Sequence, residues 1–461
     1  MTALTEFGID RYIEAFTAFE NSAVGSKLPW LRQLRSCAFD QFSHAGFPTT
    51  RREDWRFTNL SAISQTPFEL PVQAEPLSPS QIEDFPVSDK ASRLVFLNGR
   101  FVPRLSSAAV LRDGITASNL ADHLLQDRAA IQTHLGRYLD VGRDPFCALN
   151  TAFFEDGAYV HIEKGKTLEQ PIYLQFISAG AGRPTMNHPR NLIVLEPSSR
   201  ATVIEDYVSI DGHETLCNSA TELFVGEDAV VSHYRIERER PRAFSMCTLR
   251  IQQARNTTVS SHSVLLGGRL VRNNVHPVLA GPGAECVING LFAGGGAQHL
   301  DNYMLVEHAA AHCASRQFYN GILGDRAHGV FHGRIIVHKD AQQTDAKQTN
   351  RNLLLSDDAQ IDTKPQLEIL ADDVKCTHGA TIGQIDEDAL FYLRSRGIDE
   401  VAAREFLLLA FAGECLERMS EEPVRTAVGA LVEAHVAAVH KGQLVRRAPS
   451  AEATPSCEAV R

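Results

Sequence analysis

The sequence predicts a β-solenoid held between two helical regions, and three observations predict it. Helical apolar spacing dominates both ends of the chain and is almost absent from about residue 157 to residue 385. Within that middle block, short β-branched runs such as RNLIVLEPSSRATVIEDYVSI and ATELFVGEDAVVSHYRIER alternate with polar turns. A loose unit also recurs there, a turn followed by alanine and then a strand, with the alanine at 201, 229, 254, 284, 327, 341 and 359 and Val374 in its place in the last copy. Some of these spacings are about half of others, as a coil built from two strand-and-turn units would give. A sandwich of hairpins competes with this reading, but the dipeptides that favour tight hairpin turns are scarce.

Residues 1–156 read as a mostly helical region. IDRYIEAFTAFE and PWLRQLRSCAFDQFSHAGF place apolar residues three and four apart, and the second opens on proline and stops at glycine. In PTTRREDWRFTNL, Thr50 and Glu53 have the spacing of a capping box. Pro67, Pro71, Pro76, Pro79 and Pro86 mark an irregular linker, and SRLVFLNGRFVPRL predicts a small hairpin turning on Asn98-Gly99. ASNLADHLLQDRAAIQTHLGRYL is helical again. Residues 157–385 form the solenoid block. The helical period returns over 386–442, where Asp386 or Asp388 caps the first helix and Gly397 ends it. The tail, 443–461, has no apolar period and reads as disordered.

Composition narrows the function. The 461 residues are 44% hydrophobic and 22% charged with a net charge of −11, which argues against a nucleic-acid binder. The chain shows neither a membrane-length apolar run nor a basic start followed by an apolar stretch, so a cytoplasmic location is expected, with no membrane partner. Nine scattered cysteines form no C-x-x-C, which speaks against a closed zinc site. EKGKT at 163–167 lacks the first glycine of a phosphate-binding loop, since Val160 stands there, and GLFAGGGAQ at 290–298 reads as a bend. Nine of 18 histidines fall within 262–378, roughly double the density of the chain as a whole; metal or proton handling and polar solenoid edges both account for this. A β-helix polysaccharide lyase is a further alternative, but its paired acids, Asp357-Asp358 and Asp372-Asp373, sit at turns that favour aspartate anyway.

In DDVKCTHGAT, 372–381, Cys376 and His378 lie two apart in a strand-like run, so they share one face about 7 Å apart. A thiol and an imidazole are soft metal ligands, and equally common small core residues.

DDVKCTHGATIGQIDEDALFYLRSRGI, 372–398, resembles the core signature of the SufB/SufD family of iron–sulfur assembly proteins, closer in its KCTHGAT wording to the SufD branch than to SufB. GFPTTRREDWRFTNL is similar to that family's N-terminal region, and the likeness extends to about residue 443. The resemblance implies a right-handed parallel β-helix flanked by helical N- and C-terminal regions. It implies a non-catalytic scaffold that pairs with SufB and binds the ATPase SufC through its C-terminal helices. A transient iron–sulfur cluster would be its cargo, with no tightly bound cofactor in the isolated chain. By the same resemblance Cys376 and His378 are the cluster half-site at the SufB interface. Among the apolar residues of the C-terminal helices, Phe391, Leu393, Phe406 and Leu408 are candidates for SufC docking. A SufB-like sulfur acceptor, or a homodimer in isolation, is the alternative.

Overall fold

A computed structural model describes residues 6–71, 77, 91–107, 113–126, 129–180, 182–210 and 212–441. The disordered tail expected from residue 443 and most of the proline-rich linker lie outside the described residues. The protein is mainly β, a solenoid with helical regions at both ends. Successive strands go alternately to two sheets. The first sheet runs 100–101, 92–97, 172–178, 200–209, 230–237, 258–265, 285–294, 314–323, 344–354 and 374–383. The second runs 115–119, 158–162, 190–195, 215–225, 244–253, 270–279, 299–308, 328–337 and 360–369.

From strand 200–209 onward each strand pairs in parallel with the next but one. Val230 pairs with Thr258, Thr258 with Glu285, and Glu285 with Ala314, so one coil takes just under thirty residues. In-register pairing stacks like positions in columns through the solenoid. One column reads Ala201, Val231, Val259, Cys286, Ser315, Ala346, each at most 2% exposed. The hairpin at Asn98-Gly99 is present, both turn residues having positive φ, and its first strand joins the first sheet in parallel with 172–178.

The corner before each first-sheet strand from 200–209 to 344–354 explains the sequence repeat and its irregular spacing. Ser198, Asp228, Asn256, Gly283, His312 and Gln343 take positive φ, once per coil. A buried small residue follows each: Ser199, Ala229, Thr257, Ala284, Cys313 and Thr344. The left-handed residue turns the chain and the small one fills the inside of the bend. The alanines at 254 and 341 precede their corners, and Ala327 and Ala359 belong to the bends before second-sheet strands, so the alanine repeat mixed several positions.

Helices cover the outer face of each sheet. α1 (Glu6–Glu20), α2 (Pro29–Ala45), α3 (Ser61–Gln65), α4 (Leu120–Leu125), α5 (Ala129–His134) and α6 (Pro145–Phe153) make up the N-terminal lobe. Tyr12, Phe16, Phe42, Trp55 and Phe146 pack there against Met186, Leu216, Phe244 and Leu270 of the second sheet side. The spacing in the sequence does not reveal α6 because all nine of its residues are buried; Asp144 caps it, accepting from the Phe146 and Cys147 backbone N–H groups. The capping-box spacing at Thr50 and Glu53 starts no α-helix: residues 53–55 make a single 3₁₀ turn, and Glu53 reaches across to Lys364 at 2.6 Å.

α7 (Glu387–Ser395), α8 (Glu400–Leu416) and α9 (Glu422–His440) follow the last strand. Asp386 caps α7 and Gly397, at φ +89°, lies just past its end. α8 and α9 lie on the outer face of the first sheet, where Leu408, Phe411, Val428 and Val432 meet Ile204, Tyr234, Val264 and Leu291. With helices outside and columns inside, many strands are buried on both faces.

The interior columns are packed without slack. A Cβ on Gly290 would stand 2.0 Å from the ring of Tyr319, its partner in the next coil, which is wholly buried with its hydroxyl on Met304 Sδ. Gly290→Ala should therefore lower stability by about 1–3 kcal/mol. Thermal melts should also show that adding it to Tyr319→Leu costs much less than adding it to the wild type. Equal costs in both backgrounds would mean that the ring is not the obstacle.

Candidate functional site

The ladder stops at strands 360–369 and 374–383, the terminal coil. Strand 374–383 pairs with 344–354 on one side, and among the described residues no strand covers its other edge. The exposure changes abruptly here. Gln348, Asn350 and Asn352 are buried, while nearly every residue from Lys375 to Gly383 is exposed. The inside of the solenoid is open at this end.

Cys376 and His378 both extend interior columns into this opening. Cys376 pairs with Ala346 and ends the Ala201-to-Ala346 column, packing half-buried against the main core. His378 pairs with Gln348 and ends the column Val203, His233, Ser261, Ile288, Gln317, Gln348, and it is exposed. The shared face is thus the inward face of the solenoid, while Lys375 and Thr377 point outward. From the second sheet, Ile361, Thr363 and Leu367 line the same mouth, since their partners Gly329, Phe331 and Ile335 are interior positions. Burial pushes the Cys376 thiol above its ordinary pKa, and the Asp345 carboxylate adds to the rise, so the free thiol is protonated near neutrality.

A feature not singled out from the sequence lies directly beneath. Over the last two coils the inward positions of the first sheet are filled by side-chain amides. Gln348 Nε2 donates to Gln317 Oε1 at 3.0 Å, Thr363 Oγ1 donates to Asn350 Oδ1 at 2.9 Å, and Asn352 Nδ2 donates to Asn350 Oδ1 at 2.6 Å. Gln348 Oε1 and Gln317 Nε2 remain buried without a partner. The signal was the inward alternation Ala346, Gln348, Asn350, Asn352, visible only once the inward parity is known.

The crowded histidines do not gather at this mouth. His276 and His338 both approach Glu307, at 2.6 and 3.3 Å, His328 bonds Asp362 at 2.8 Å, and His332 bonds Gln366 at 2.8 Å. His262 bonds Ser260 and stacks on Tyr234, His308 bonds Ser315, and His312 turns a corner. Each has a structural partner or place. Among the described residues, no three His, Cys, Asp or Glu side chains converge as a metal site. Cys376 and His378 are thus two donors without a third beside them among the described residues.

The four apolar docking candidates separate. Phe391 is 73% exposed and Phe406 56%, and Tyr392 and Val401 are also more than half or about half exposed on the same two helices. Leu393 is half-buried. Leu408 is fully buried between α8 and the first sheet, so it belongs to this chain's own core and is not offered to a partner. Its position on the helix, two after Phe406, turns it to the opposite side.

No described helix is long and apolar enough to cross a membrane. Residues 176–411 match the family described as SUF system FeS cluster assembly, SufBD core domain, and residues 8–174 match the SufBD protein N-terminal region. An iron–sulfur cluster assembly SufBD family protein of Synechocystis is 35% identical over 89% of this chain and 92% of its own length. The iron–sulfur cluster assembly protein SufD of Escherichia coli is 32% identical over 84% of this chain and 89% of its own. SufD of Bacillus subtilis is 24% identical over 95% of this chain and its own full length. The two matched regions meet near residue 175, inside the solenoid, and together take in the terminal coil and its KCTHGAT strand. This chain belongs to the SufBD family of the SUF iron–sulfur cluster assembly system.

Proposed function

We propose that this chain is the SufD-type scaffold subunit, pairing with SufB through the terminal coil and contributing Cys376 and His378 to a nascent cluster held between the two. The observation that carries the reading is the placement of a thiol and an imidazole at the mouth of a solenoid whose last strand, among the described residues, has one unpaired edge. A free parallel edge takes a partner strand, and a strand from a second solenoid would continue the ladder and close the mouth. Iron–sulfur clusters usually take about four protein ligands. Two from this chain form a half-site, which the partner completes. A boundary between subunits suits a cargo that must leave, because movement of the subunits separates the two halves of the ligand set. The same edge would accept a second copy of this chain when SufB is absent.

The exposed apolar residues on α7 and α8 support docking of the ATPase SufC there, with aromatic side chains as anchors. The assignment includes Phe391 and Phe406, with Tyr392 and Val401, in place of Leu408. Removing α7 to α9 altogether is a poor probe, because α8 and α9 cover the outer face of the first sheet.

His378→Ala should sharply reduce the iron and sulfide content of the anaerobically purified complex, with the complex itself intact by size-exclusion chromatography. Cys376→Ala should be milder, and wild-type iron in the double variant would end the half-site reading. Metal displaces the thiol proton, and the Cys376 pKa lies above its ordinary value. Iron loading should therefore rise with pH above neutrality, and this rise should flatten in Cys376→Ala. Phe391→Asp with Phe406→Asp should abolish co-purification of SufC by at least ten-fold and leave SufB bound; retained SufC would place its site elsewhere.

A further inference from the structure

The interior amide directly beneath His378 is held in one orientation with its acceptor unused. Gln348 Nε2 donates to Gln317 Oε1 in the coil below, while Gln348 Oε1 has no partner. The amide has little room to turn. A Cβ on Gly333 would stand 2.0 Å from Nε2, so the group lies against the backbone of the second sheet.

Gln348 is only 2% exposed, and among the described residues the terminal coil is all that lies over it, so the inward side chains of that coil form its lid. They offer few donors. Pro365, the ladder partner of Gly333, has no N–H, and the Ala380 side chain has no polar atom. The Thr363 hydroxyl already donates to Asn350 Oδ1. A thiol such as Cys376 is a weak donor. His378 remains, and it is the residue paired with Gln348 in the ladder, one strand spacing of about 4.8 Å away.

We propose that Gln348 is a positioning residue for His378, its Oε1 accepting one ring N–H so that the other ring nitrogen faces the mouth with its lone pair free. This rests on the half-site reading and adds to it a residue that touches no metal. An imidazole that donates one N–H to a fixed carbonyl keeps one tautomer and one ring orientation, and a ligand so held binds metal more tightly. Gln317 Nε2 is also buried without a partner. A carboxylate at position 348 would therefore find a donor below it once the Gln317 amide turns over, and would keep an acceptor toward His378.

The test uses the full chain co-purified anaerobically with SufB and SufC, with size-exclusion elution and melting temperature reporting assembly and folding. Gln348→Leu and Gln348→Met remove the amide with two different shapes, and each should lower the iron retained per assembled complex about ten-fold, while Gln348→Glu should stay within about two-fold of the wild type. Adding Gln348→Leu to His378→Ala should lower iron no further, because the amide acts only through the ring. A merely structural amide would lose iron in Gln348→Glu too and would add its loss to that of His378→Ala; either result overturns the proposal, as does failure of both amide removals to assemble. Wild-type iron in Gln348→Leu, with iron lost in His378→Ala, overturns it and leaves the half-site standing. Wild-type iron in His378→Ala ends both.

Discussion

Each strand of this solenoid obtains its backbone hydrogen bonds from the coil before it and the coil after it, and a ladder of that kind must end somewhere. At its start the hairpin of 92–101 and the antiparallel strand 115–119 close the two sheets. At its finish nothing of that sort follows strand 374–383 among the described residues. An unpaired edge leaves a row of N–H and C=O groups unsatisfied by the protein, which water or another strand must meet. The position of the candidate half-site follows from this single fact. Cys376 and His378 are interior residues by register and are accessible because, among the described residues, no further coil lies over them.

The amide layer at the end of the columns is the other half of that arrangement. Had the apolar filling of Val259, Ile288 and Phe292 continued to the last coil, the open end would present a greasy disc to water. Gln317, Gln348, Asn350 and Asn352 replace it with a hydrogen-bonded layer. Buried amides cost stability unless they are paired, and two of these atoms are not. A layer so placed meets water with hydrogen-bonding groups and leaves polar side chains behind the Cys376 thiol and the His378 imidazole. The N-terminal lobe reaches the same coil from outside through Glu53 and Lys364, so the second sheet's last strand is tethered while the first sheet's is free.

The C-terminal helices divide their apolar residues between two tasks. Leu408, Phe411 and Val432 seal the outer face of the first sheet, the very sheet that carries Cys376. Phe391 and Phe406 face solvent. A protein bound to these exposed residues therefore grips helices that are themselves packed on the half-site's sheet, and α7 joins that sheet's last strand through only a few residues. Such a connection can carry motion from a docked partner to the mouth.

The solenoid class, the helical ends, the hairpin at Asn98-Gly99 and the cap at Asp386 were legible in the sequence, because each rests on local periodicity or on a turn residue with its own conformational preference. The pairing of Cys376 with His378 on one face was legible for the same reason, since strand alternation is a local rule. Local rules do not say which face points inward. The column parity of Gln348 and Asn350, the burial of α6 on every side and the loss of Leu408 to the core all depend on neighbours some thirty or more residues away. The sequence by itself determined the elements and their family. Only the tertiary structure decided which side chains are enclosed, because enclosure is a property of the stacked coils and not of any one strand.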